Sequence, residues 1–236
     1  MASLKSMAKN YLEGFSTLIF PDHCQHCHIL LIKNEMVLCR ACTANLPSTG
    51  FENEPNNRVF QTFWGRIPIH FAASAFHFKK GELLQQLIHQ LKYRNKPDTG
   101  IFLGRLMGQK IKKSSLFGRP DTIIPVPLHP LKQQSRGYNQ SLYLAKGIAE
   151  VTGATINTST LFRKIHHSSQ THKKHYERWL NVENNFFIVN ASALENRHIL
   201  LVDDIITTGA TLEACAQKLL QIKNIKISIM TAGYAN

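Results

Sequence analysis

Residues 197–211 read R-H-I-L-L-V-D-D-I-I-T-T-G-A-T, and no other stretch constrains the fold as tightly. Ile199, Leu200, Leu201 and Val202 form a short apolar run, the pattern of a strand buried on both faces. Asp203 and Asp204 follow at once, where such a strand is expected to end. After two more apolar residues, Thr207-Thr208-Gly209-Ala210-Thr211 leads into a helix. Its apolar face is Leu212, Cys215, Ala216, Leu219 and Leu220. Two adjacent carboxylates therefore stand at the carboxyl end of a strand, above a small-residue turn that opens a helix. That is where open α/β sheets bind ligands.

The chemistry of the turn narrows the ligand. Gly209 permits backbone angles closed to other residues, so several N–H groups can converge on one anion at the helix start. Thr207, Thr208 and Thr211 add hydroxyl donors. The carboxylates repel a phosphate but suit a sugar diol beside it, so a ribose 5-phosphate fits the whole strand–turn–helix. The string is neither a Walker A loop nor a dinucleotide fingerprint. A lone D-D or T-T-G would imply no more than a capped helix, because Asp and Thr are common caps. The complete string resembles the phosphoribosyl-pyrophosphate (PRPP) motif of type I phosphoribosyltransferases. That resemblance implies that Asp203 and Asp204 hold the ribose hydroxyls and are the catalytic acids. It also implies that the PRPP-binding stretch continues through Ile205, Ile206, Thr207, Thr208, Gly209, Ala210 and Thr211, with the loop from Thr207 on the 5-phosphate.

Four of the five cysteines form two knuckles, Cys24-x2-Cys27 and Cys39-x2-Cys42. Two such knuckles at this spacing can wrap one tetrahedral Zn²⁺. With no open ligand position evident, the zinc is expected to be structural, stapling a module too small to fold on its own core. His23, His26 and His28 lie nearby as substitute ligands, but the second knuckle has no histidine to match. The fifth cysteine, Cys215, reads as a small buried residue on a helix.

A length of 236 residues allows one ordinary domain plus an appendage, at about 150 residues per domain. No apolar run reaches about 18 residues, so no membrane span is expected. Leu18-Ile19-Phe20 is too short for a signal peptide, which makes the cytoplasm the default location. The formal net charge of +13 points to an anionic partner: PRPP, a nucleotide or nucleic acid.

Along the chain, Met7, Tyr11, Leu12, Phe15, Leu18 and Ile19 recur at helical spacing and Pro21 ends that segment. The zinc module is expected to close at 46, with 47–68, rich in Pro, Asn and Gly, as a linker and 69–236 as the main domain. Within it, a strand is expected from about Ile69 to Phe78, then a helix face at Leu84, Leu87, Ile88 and Leu91. A basic turn follows at 92–97, and helical spacing resumes from Ile101 to Ile111. A strand from Thr122 is expected to stop near Val126, because prolines lack the ladder donor. The loop after it leads to Asn139 as N-cap of a helix that runs to about Val151, with Gly153 just beyond its end.

P-V-P-L-H at 125–129, R-G-Y-N-Q at 136–140, L-K-Y-R-N at 91–95 and the front cysteine knuckles together resemble the ComF family, ComFC and GntX. The resemblance spans nearly the whole chain. It implies an α/β type I phosphoribosyltransferase fold, a mainly parallel sheet flanked by helices, with a hood loop and the small four-cysteine module in front. It further implies that Pro127, Leu128 and His129, with Arg136, line the pyrophosphate loop. The basic loop 163–181 would be the hood, with Gln170, Thr171, Arg178 and Asn181 at its recurring positions. The implied activity is Mg²⁺-dependent binding of PRPP and pentosyl transfer, linked to natural competence and use of external DNA. The alternative is a non-catalytic competence factor that binds PRPP or single-stranded DNA, with a helicase-like competence protein as a further partner.

Overall fold

The computed structural model describes residues 21–164 and 185–235. The expected N-terminal amphipathic helix and the hood residues Gln170, Thr171, Arg178 and Asn181 lie outside them. The chain divides into two compact units, which meet between Leu46 and Pro47.

The front unit is built around its cysteines. His28 and Asn34 adopt left-handed backbone angles, φ 61° and 77°, which turn the chain sharply between the knuckles. Helix α1 (Arg40–Ala44) begins with Cys39 as its N-cap. Cys24, Val37, Leu38, Cys39 and Cys42 are buried. That is a small apolar core, as expected of a module needing a staple.

The larger unit is an α/β sheet with every pairing parallel, in the order β1-β7-β6-β2-β3. Its strands are β1 (Phe71–Phe78), β2 (Thr122–Pro125), β3 (Thr155–Ile156), β6 (His198–Ile206) and β7 (Lys226–Ala235). Short strands β4 (Leu161–Arg163) and β5 (Phe186–Ile188) form a separate antiparallel pair. The central strands read as continuous apolar runs because both faces are covered. Ile199, Leu201, Val202, Ile229 and Met230 have no exposed surface.

Helices α3 (Leu83–Tyr93) and α4 (Pro97–Lys113) join β1 to β2, and α6 (Gln140–Thr152) joins β2 to β3. Helix α7 (Ala210–Leu219) joins β6 to β7. Asn139 caps α6 through its side chain, and Gly153 follows it at φ 77°. Helices α4 and α6 approach backbone to backbone: a Cβ on Gly104 would lie 2.2 Å from the Leu144 carbonyl oxygen, and one on Gly147 would lie 2.1 Å from that of Ile101.

Four expectations need correction. The strand carrying the acids does not end before them; β6 continues to Ile206, because its register with β7 runs on through Asp203↔Thr231 to Ile206↔Tyr234. The segment after β2 is not all loop: Pro130 at the first position and His129 as N-cap start a helix, α5 (Pro130–Arg136). None of its residues is buried, so it left no apolar period in the sequence. β7, ten residues long, had no counterpart among the expected elements.

The fourth correction concerns 47–68, which is folded rather than a linker. It carries a 3-10 turn (Phe51–Asn53) and helix α2 (Arg58–Gln61). Phe51, Val59, Phe63 and Ile67 are buried. Asn57 is 2% exposed; its side-chain amide donates to the Ala72 carbonyl of β1 at 2.9 Å and its oxygen caps α2. Ser48 bridges to Phe76 along the free edge of β1. A short apolar segment tied down by one buried amide has no periodicity to reveal it.

Candidate functional site

β6 carries Asp203 and Asp204 to the carboxyl edge of the sheet, and the chain then turns into α7. Gly209 is the N-cap of α7 at φ 76°. The turn and the helix start line a small open pocket with Asp203 and Ile205–Leu212 around it. Thr207 and Thr208 are exposed at its mouth. The N-terminal N–H groups of α7 that lack an intrahelical acceptor, and its positive dipole end, favour an anion there.

The two acids are held differently. Asp203 Oδ1 accepts from Ser141 Oγ of α6 at 2.9 Å and from the Asp204 backbone N–H at 2.9 Å. Burial, with the adjacent Asp204 charge, pushes the Asp203 carboxyl up to about 7, against the pull of those hydrogen bonds and of Lys92. Asp204 Oδ2 pairs with Lys92 Nζ, from the last turn of α3, at 2.7 Å. One acid of the pair is thus only partly ionised near pH 7 and the other is paired with a cation.

The turn after β6 is braced from outside by the 47–68 segment. Arg66 donates to the Thr208 carbonyl at 3.1 Å and to that of Thr62 at 2.9 Å, and forms an ion pair with Glu213 of α7. Phe63 and Thr62 press on Gly209: a Cβ there would lie 3.1 Å from each. Ser141, Lys92, Phe63 and Arg66 were not anticipated, because each reaches the turn from a remote part of the chain. Only the placement of Lys92 within L-K-Y-R-N gave a signal, and it named no partner.

The expected pyrophosphate loop follows β2. Asn139 donates from its side-chain amide to the Val126 carbonyl at 2.9 Å, fixing where Pro127 and Leu128 emerge. His129 Nδ1 accepts from the Leu131 N–H at 3.3 Å, which assigns that nitrogen to capping α5. Arg136 closes α5 with its guanidinium carbon 5.3 Å from the Tyr93 ring centre, beside Lys92 in sequence. Pro127, Leu128, His129 and Arg136 are all half-buried.

In the front unit, the sulfurs of Cys24, Cys27, Cys39 and Cys42 lie within 4.8 Å of one another. Cys27 and Cys39 approach to 3.6 Å. Zn–S bonds of about 2.3 Å in a tetrahedron place sulfurs roughly 3.8 Å apart, so the donor set fits that ion. Burial pushes the Cys24 thiol up, but backbone N–H groups of Cys27, Cys39 and His26 outweigh it and hold it at about 6. Burial and the neighbouring sulfurs push Cys42 up to about 12. Four thiols this close cannot all ionise without a cation among them, and this cluster could hold a metal.

No protein-family model matches the chain. Among curated proteins it is 32% identical over 141 residues to DNA utilization protein YhgH of Salmonella typhi, covering 58% of this chain and 61% of that protein. It is 30% identical over 146 residues to Competence protein F of Haemophilus influenzae, covering 60% and 63%. Competence protein ComFC of Bacillus subtilis is 29% identical over 145 residues, covering 59% and 55%. The matches thus span less than two thirds of each relative's length. Solved structures similar to the chain include adenine phosphoribosyltransferase from Leishmania donovani, with a TM-score of 0.41 at 12% identity over 68% of this chain and 83% of that one. Glutamine PRPP amidotransferase from B. subtilis has a TM-score of 0.40 at 19% identity, over 60% and 30%. Over about three fifths of its length, the chain is similar to proteins named for competence and DNA utilization.

Proposed function

We propose that the chain is a phosphoribosyltransferase-like protein that binds Mg·PRPP at the end of β6 and serves the use of external DNA. The observation that carries this is the pairing of two strand-borne acids with an anion pocket directly behind them. The acids suit a diol and the pocket suits a phosphate, the two groups that one ribose 5-phosphate carries.

In this reading Asp203 and Asp204 accept hydrogen bonds from the two ribose hydroxyls. The backbone from Ile205 and Ile206 through Thr207, Thr208, Gly209, Ala210 and Thr211 encloses the 5-phosphate. Pro127, Leu128, His129 and Arg136 face the pyrophosphate, and the outlying Gln170, Thr171, Arg178 and Asn181 would close over it. Magnesium, when bound with PRPP near Asp203 and Asp204, would supply positive charge that offsets the charge on the leaving pyrophosphate. As the bond from the sugar to pyrophosphate breaks, positive charge grows on the sugar. The carboxylates below it then bind more tightly than in the ground state, which is what lowers the barrier. Lys92 would hold Asp204 in its ion pair until substrate arrives. Cys24, Cys27, Cys39 and Cys42 would hold a structural Zn²⁺, and the protein would act in the cytoplasm. DNA as macromolecular partner is supported by the names of the relatives and by the +13 charge.

Calorimetry with Mg·PRPP tests the site. The wild-type chain should bind, and the Asp203→Ala, Asp204→Ala double variant should lose binding while keeping its far-ultraviolet circular dichroism. Equal affinity in the folded double variant sinks the assignment. Pyrophosphate release that depends on an added acceptor separates transfer from binding alone.

A further inference from the structure

We propose that Tyr93, with Arg136 against its ring, forms a stacking platform for the bases of single-stranded DNA at the rim of the expected pyrophosphate loop. Tyr93 ends α3 and is 64% exposed, yet its ring is held in place. The Arg136 guanidinium carbon lies 5.3 Å from its centre, and the His89 ring lies 5.0 Å away. Tyr138 fixes the two elements together by donating its hydroxyl to the Leu91 carbonyl. The ring thus faces solvent while Arg136, from α5, lies against it. Arg stacked on an aromatic ring is a surface that a nucleobase extends, because every base presents a π-face.

The surrounding charge favours a polyanion. Residues 89–98 and 130–138 contain Lys92, Arg94, Lys96, Lys132 and Arg136, against the single acid Asp98. Asp98 lies in the first turn of α4, where it complements the helix dipole. Lys92 is committed to Asp204 and Arg136 to the Tyr93 ring, which leaves Arg94, Lys96 and Lys132 for phosphates. A duplex hides its base faces within the stack, so an exposed ring selects a single strand. A protein partner would call for a broad apolar patch, and within 89–98 and 130–138 the exposed aliphatic side chain is Leu131.

The choice of DNA rests on the function proposed above, and the test separates the two. A fluorescent oligothymidylate of about 15 nucleotides is titrated with the full chain and followed by anisotropy. Tyr93→Ala should weaken binding about tenfold, while Tyr93→Phe stays within about twofold, because the ring rather than the hydroxyl stacks. Arg136→Lys keeps the charge but loses the planar stack, and it should weaken binding several-fold. Thermal melting monitored by circular dichroism verifies that each variant is folded. Wild-type affinity in Tyr93→Ala overturns the platform while leaving DNA binding in place. No wild-type binding at about 50 mM salt overturns both, whereas Mg·PRPP calorimetry on the same sample still judges the pocket alone. Tighter binding of the matched oligouridylate overturns DNA as the occupant.

Discussion

Asp203 is held near neutrality by burial and by its neighbour's charge, with a carboxyl pushed up from 3.8 to about 7. Between those values the folded chain binds more protons at this position than the unfolded chain. This group's contribution to stability is therefore fully present below about pH 4 and lost as pH rises through about 7. Ligand binding runs the other way. An ionised carboxylate accepts the ribose hydroxyls better than a neutral one, so Mg·PRPP should bind more tightly as pH rises toward 7. Near about pH 6, binding should release a proton from Asp203. Calorimetry in buffers of different ionisation heat measures that proton, and Asp203→Asn subtracts any contribution from the ligand's own phosphates. Equal proton release by both proteins would mean that Asp203 is already ionised. A second residue-scale prediction concerns Gly209. Alanine there combines a positive φ with contacts of 3.1 Å to Phe63 and Thr62, so Gly209→Ala should destabilise the fold by about 1 kcal/mol or more. An unchanged thermal midpoint would show that the turn relaxes freely. The sequence made both positions legible, since adjacent acids and a glycine in a threonine-rich turn are local signals. Ser141 and Lys92 were not legible, because their roles depend on which helix the sheet brings beside the acids.

At the scale of elements, the turn owes its shape to a partner remote in the chain. The stretch 62–66 wraps the outside of the turn, with Phe63 against Gly209 and Arg66 on the Thr208 carbonyl and on Glu213. Arg66→Ala should loosen the turn and weaken Mg·PRPP binding about tenfold, or ~1.4 kcal/mol. Arg66→Lys should recover little, since a single ammonium cannot span carbonyl and carboxylate as the guanidinium does. Affinities equal to wild type in both variants would relegate Arg66 to a surface ion pair. The strand–turn–helix, the α6 caps and the β1 strand could all be read from period and capping residues. The 47–68 segment could not: Asn57 does its work by bonding to Ala72, and no one-dimensional pattern encodes that. The cysteine cluster is the opposite case, because metal chemistry restricts spacing in the chain itself. Cys24→Ser with Cys42→Ser should remove about one zinc per chain by elemental analysis. Limited proteolysis should then leave a folded fragment beginning near Pro47, where the compact units divide. Retention of the metal, or loss of structure throughout, would contradict an autonomous staple.

For the molecule as a whole, two anionic ligands with different physics meet one basic protein. In the proposed reading, the pocket behind Asp203 would bind by directed hydrogen bonds from backbone N–H groups, whose strength depends on geometry and little on ionic strength. The surface near Tyr93 offers Arg94, Lys96 and Lys132, which would attract a strand chiefly by displacing its condensed counterions. Three phosphate contacts on a single strand imply that log affinity falls against log salt with a slope of about −2. Mg·PRPP affinity, measured over the same salt series at fixed free magnesium, should change far less. Charge reversal at Lys132, which is exposed and remote from the acids in sequence, should flatten the DNA slope by about one and leave the PRPP curve in place. The net charge alone allowed this partition without locating it, since +13 spread over a surface names no face. Parallel salt dependences for the two ligands would mean that both occupy the same electrostatic site. The DNA strand would then compete with PRPP for the end of β6 rather than pass beside it.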